Sequence, residues 1–207
     1  MTLNQRPTED LRVRRTRKLL MQAMIELTIE QGFAAITVQD IADRAMINRA
    51  TFYRHYLDKY DLLDKYMDVV YELTASQEAL SSPQTQGTNS SNPTLGLVSM
   101  FEHVQQHADF YRVMLGAKGD PAFVQRIRQY SELRLRSLLP GDRAPLQPSS
   151  PPLDLCLSYL SHAGIGVLDW WLKAGQSHPP EQVAAWLNQL NRETVERALS
   201  EAEGAKA

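Results

Sequence analysis

Within the short run Asn48–Tyr56, NRATFYRHY, the side expected to face outward carries the hydrogen-bond donors Arg49, Thr51, Tyr53 and His55. An arginine fork matches the two acceptors on the guanine edge. Hydroxyls and an imidazole suit phosphate oxygens. Ala50 is small enough to meet a thymine methyl. Phe52 and Tyr56 lie four apart and can turn together into a core. The chemistry on offer is non-covalent recognition of a duplex. Packing or capping is the plainer alternative for His55.

Other reactive patterns are thin. His103 and His107 are spaced i, i+4, but no H-E-x-x-H arrangement surrounds them, so a solvated or pocket-lining pair is the expectation. Gly164-x-Gly166 follows a helical pattern and not a strand. Cys156 sits among leucines as a small core residue. No G-x-S-x-G and no phosphate loop occurs. We therefore expect no enzyme activity, no catalytic residue, no metal and no cofactor.

The elements that must present the donors are two short helices. Thr37 can cap the first, with Asp40 placed as the partner carboxylate of a capping box. Val38, Ile41 and Ala45 give it one apolar side. Asn48 can cap the second, after a turn of about three residues. Two helices joined this way, the second polar outside, describe a helix-turn-helix over 37–56.

The stretch TVQDIADRAMINRATFYRHYLDK resembles the DNA-binding segment of the TetR family of bacterial transcription regulators. The family pattern is roughly T-x-x-x-I-A-x-x-A-G-V-S-x-x-T-x-Y-x-H-F-x-x-K-x-x-L. Thr37, Ile41, Ala42, Ala45, Thr51, Tyr53, His55, Lys59 and Leu62 match it. Ile47 replaces Val, Asn48 replaces Ser and Tyr56 replaces Phe; Met46 stands where the family has Gly. The resemblance covers the first third of the chain. It implies that Thr37, Gln39, Asn48, Thr51, Tyr53, His55 and Lys59 lie at or near the phosphate backbone. Arg49 and Ala50 would read bases.

Length and charge fit that reading. The chain has 207 residues and 43% hydrophobic content, enough for a small and a medium domain. Its single cysteine can form no intrachain disulfide. There is neither an 18-residue apolar run nor a signal-peptide pattern, so a cytoplasmic protein is expected. The net charge of −2 hides a cluster of Arg12, Arg14, Arg15, Arg17 and Lys18. It is either a solvated helix face or a flank of the DNA backbone.

An all-α fold is expected throughout. A DNA-binding domain spans 8–57, beginning with a helix from about Thr8 to Gln31 that stops at Gly32. A helical ligand-binding and dimerisation domain spans 58–207. Helices are expected from 58 or 59 to 80, 94–107, 109–116, 120–139, 153–174 and 180–201. Asp109 and Asp120 would cap two of them, and one would stop at Pro140-Gly141. Residues 1–8 read as a mobile arm, and the stretches near 81–93 and 140–152 as flexible loops.

The helix over 153–174 is apolar around most of its circumference and must be covered on more than one side. Gly164 and Gly166 permit close approach. Trp170 and Trp171 cannot face the same way. Burial within one chain is one reading. The resemblance implies the other, a homodimer through 153–174 and 180–201 on a palindromic operator. It also implies a small-molecule effector, and Phe101, His103, Tyr130, Tyr159, His162 and Trp170 are candidates to line its pocket. A repressor is the expected role; the alternative is an activator or co-regulator of the same fold controlled by a protein partner.

Overall fold

The structure is a computed structural model of the 207-residue chain and describes residues 11–80, 93–138 and 151–200. Among them are nine helices and no strand. These are α1 (Leu11–Gln31), α2 (Val38–Arg44), α3 (Arg49–Tyr53), α4 (Lys59–Leu80), α5 (Pro93–Gln106), α6 (Ala108–Leu115), α7 (Pro121–Leu138), α8 (Leu153–Lys173) and α9 (Pro180–Ser200). The arm at 1–8, the helix start near Thr8, almost all of the two expected loops and the stop at Pro140-Gly141 lie outside the described residues.

The helix ends follow local chemistry. Gly32 closes α1 with φ 87, and Gly175 follows α8 with φ 66. At α2 both halves of a capping box are made: Asp40 N–H donates to the Thr37 hydroxyl, and Thr37 N–H donates to the Asp40 carboxylate. The Asp58 carboxylate accepts from the amides of Tyr60 and Asp61 at the start of α4, and Asp120 accepts from Ala122 at the start of α7. Pro121 takes the first position of α7, where its missing N–H costs nothing. Asp109 does not cap α6 as its position suggested. The helix already begins at Ala108, and Asp109 instead pairs with Arg112 in its first turn.

The head is α1 to α3. Leu20, Met24, Phe33, Ile36, Ile41 and Phe52 bury completely or nearly so. Arg44 of α2 bonds to Glu26 and Glu30 of α1, fastening the two helices from outside. In the rest, α4 and α9 both pack on α5, and α7 packs on α8. α6 packs on α1 and so ties the two parts together. One buried cluster runs from Leu20 through to Leu187.

Periodicity overstates burial at several places. Leu73 of α4, Leu133 of α7 and Leu190 of α9 fall at apolar spacing, yet all are more than half exposed, since no helix among the described residues covers those faces in a single chain. The two tryptophans diverge as adjacent helical residues must: Trp171 is fully buried, and Trp170 is half exposed.

Candidate nucleic-acid interface and buried cavity

α3 is five residues long and projects from the head on two supports. Phe52 and Tyr56 are its buried root, with ring centroids 5.6 Å apart. Asn48 is its cap, accepting from the Ala50 amide at 2.7 Å. Arg49, Ala50, Tyr53 and Arg54 are left exposed, and Thr51 and His55 are half-buried. Arg49 lies over the Tyr53 ring at 5.4 Å and donates to its hydroxyl at 3.2 Å. That contact pre-orders the guanidinium while keeping it on the surface.

The turn before α3 explains the place of Met46. Ile47 N–H bonds back to Ala42 and Met46 N–H to Asp43, the paired bonds of a Schellman motif. Met46 occupies its left-handed position with φ 55 and is 92% exposed. A residue with a Cβ is strained there, and its side chain gains no packing in return.

Thr37 and Gln39 sit at the exposed start of α2. The Thr37 hydroxyl is engaged with Asp40, and the Gln39 amide donates to Asp43 at 2.7 Å. Hydrogen bonding to Thr37 holds the Asp40 carboxyl below its ordinary range. Lys59, expected at or near the phosphate backbone, directs its ammonium into the protein. Its ammonium donates to the carbonyls of Phe33, Ala34 and Ile36 at 2.9, 3.1 and 2.9 Å. An ammonium has three protons, so these bonds take them all. Burial lowers its pKa, against the pull of Asp120 and Asp58. In this geometry Lys59 fastens α4 to the turn leading into α2. Arg12, Arg14, Arg15, Arg17 and Lys18 are all exposed on the first turns of α1.

A second feature lies between α4, α5, α7, α8 and α9: a cavity of about 200 Å³. Of the six residues expected to line a pocket, Tyr130 does. Phe101 is buried edge-on against Trp171, and His103 bonds to the Tyr66 hydroxyl at 2.9 Å. Tyr159 and His162 are exposed, and Trp170 stacks on His178 at the surface. Sequence reading missed the actual wall, including Met67, Thr74, Arg134 and Asn191. The signal for it was the i, i+3, i+4, i+7 row on α7, Ile127, Tyr130, Ser131 and Arg134.

Residues 20–66 match the profile of the tetR family of bacterial regulatory proteins, and residues 91–193 match a transcriptional regulator C-terminal region. The chain belongs to the TetR family. A relative in Bacillus subtilis (strain 168), the uncharacterized HTH-type transcriptional regulator YxbF, is 47% identical over 55 residues, 26% of this chain and 14% of that one. YdeS of the same strain, also an uncharacterized HTH-type transcriptional regulator, is 31% identical over 78 residues, 37% and 39% of the two chains. The chain thus spans much less than half the length of either. A TetR transcriptional regulator from Streptococcus agalactiae 2603V aligns with a TM-score of 0.57 at 25% identity, covering 88% of this chain and 96% of that one. All three of these relatives are transcriptional regulators by name. No three metal-ligating side chains gather, and no helix is long and apolar enough to cross a membrane, among the described residues.

Proposed function

We propose that this TetR-family chain is a sequence-specific DNA-binding transcription regulator that works in the cytoplasm as a ligand-responsive repressor. α3 enters the major groove. Arg49 reads a guanine and Ala50 meets a thymine methyl, while Asn48, Thr51, Tyr53 and His55 meet phosphates, with Thr37 and Gln39 on the flank. The observation that carries this reading is the exposed Arg49 fork on a helix capped by Asn48 and rooted by buried Phe52. The basic residues opening α1 add charge that weakens with salt.

The regulator acts as a homodimer. Leu155, Tyr159, His162, Gly166 and Trp170 form an exposed stripe along α8 at helical spacing. The rings of Trp170, His178 and Trp186 carry it onto α9 with centroids 6.0 and 4.9 Å apart. Contiguous apolar surface of this kind is expected to be covered, and a second copy covers it symmetrically. Nothing lies within 4 Å of where a Cβ on Gly166 would sit, which leaves room for a partner backbone. A two-fold pair binds a palindromic operator. The cavity takes a small effector that prefers one spacing of the two heads, since only differential affinity shifts an equilibrium.

Selection of bound fragments from random duplex DNA at low salt tests the reading. An enriched inverted repeat supports it, and no enrichment contradicts it.

A further inference from the structure

Aliphatic and thioether side chains from all five helices make up the larger part of the cavity wall. Most of the polar side chains among them are engaged within the protein. Tyr130 donates to Asp68, and Tyr111 shares a hydrogen bond with Tyr66. Thr74 donates to the carbonyl of Tyr71, and Ser131 to that of Ile127. Arg134, the one formally charged wall residue among those described, already has a partner in the chain, and so has Asn188. Tyr71 and Asn191 complete the polar set, and both are neutral. A charge brought into this cavity would lose its water and meet no uncommitted counter-charge. That cost falls on an ion and spares an apolar molecule.

The cavity owes part of its room to Gly164. This residue lies one turn from Leu160 and one turn from Leu168, both buried and both in the wall. The three therefore share one face of α8. Nothing lies within 4 Å of where a Cβ on Gly164 would sit. Glycine weakens a helix interior, and what it leaves here is space.

We propose that the effector is an uncharged, apolar molecule of about eight or nine carbon atoms, seated against Gly164 between the five helices. This deepens the reading of the cavity as the effector site and rests on it. An apolar cavity of about 150 Å³ takes up benzene, and this one measures about 200 Å³. The gain on binding comes from apolar surface leaving water, and no hydrogen bond of the wall has to break.

Calorimetric titration of the full chain compares three probes of nearly equal size: propylbenzene, phenethylammonium and phenylacetate. Propylbenzene is expected to bind at least about ten-fold tighter than either ion. Gly164→Leu puts a side chain into the cavity and should weaken propylbenzene by about ten-fold or more. Ser131→Leu fills the same space from α7 and should act alike. Either ion binding as tightly as propylbenzene overturns the apolar assignment and leaves the cavity as an effector site. Undiminished propylbenzene binding to either variant, shown folded by circular dichroism, puts the probe elsewhere and overturns it too. So does failure of all three probes to bind. Operator affinity is read in parallel on the duplex obtained by selection, and its change with propylbenzene supports the proposal in full. Binding that Gly164→Leu blocks but that leaves operator affinity unchanged supports the ligand class and contradicts the effector role.

Discussion

The ammonium nitrogen of Lys59 lies 2.9 Å from the carbonyl oxygen of Phe33, 26 residues earlier in the chain. It joins the first residue of α4 to the turn that leads into α2, so it links that long helix to the head. Substituting Lys59→Met strands three carbonyls, two of them part-buried. We expect a stability loss of about 1–3 kcal/mol, read by urea unfolding. DNA affinity should fall through misplacement of the head. The slope of log affinity against log salt should hold, because the lysine spends its protons within the protein. A slope flatter by about one unit would return Lys59 to the phosphates.

Arg49→Ala is expected to relax preference at one base pair in each half-site, by about 1–3 kcal/mol. Binding to operators varied one position at a time measures this. Preference retained at every position would remove Arg49 from the reading role.

Met46→Gly should stabilise the protein by about 0.5–1 kcal/mol, because glycine adopts positive φ without a Cβ penalty. The 92% exposure of Met46 means little packing is lost. Chemical denaturation reads the change, and a destabilised variant would show that the Met46 side chain packs somewhere after all.

These local features were legible in the sequence because they are local. Thr37, Asp40 and Asn48 cap through bonds within three residues, and Gly32 and Gly175 stop helices through their own φ. Phe52 and Tyr56 were readable as root residues because i, i+4 aromatics share a helix face. The cavity was not readable in this way. Its wall depends on which faces five helices bring together, and aromatic or imidazole character alone pointed to Phe101, which the core buries, and His103, which is half-buried and bonds to Tyr66. Lys59 shows a related limit: a motif position gives the residue, and only the fold shows which atoms surround its ammonium.

Acid should weaken the fold through His103. Burial first, then His107, depress its pKa to about 4, below an ordinary value near 6.5. Between those values the unfolded chain binds a proton that the folded chain refuses. The stability concerned is complete above about pH 6.5 and is lost as pH falls toward about 4, by about 2–3 kcal/mol. His103→Gln should flatten that part of the profile. Urea midpoints compared near about pH 7 and about pH 4.5 check it, and an unchanged slope in the variant would assign the loss to other groups.

The central claim is that two copies hold two α3 helices in successive major grooves. Sedimentation equilibrium of the protein with its selected duplex measures the stoichiometry directly. Two chains per duplex are expected, with half-sites about 10–10.5 base pairs apart and binding lost when one half-site is scrambled. One chain per duplex, or equal affinity for the scrambled site at the same salt, would contradict it.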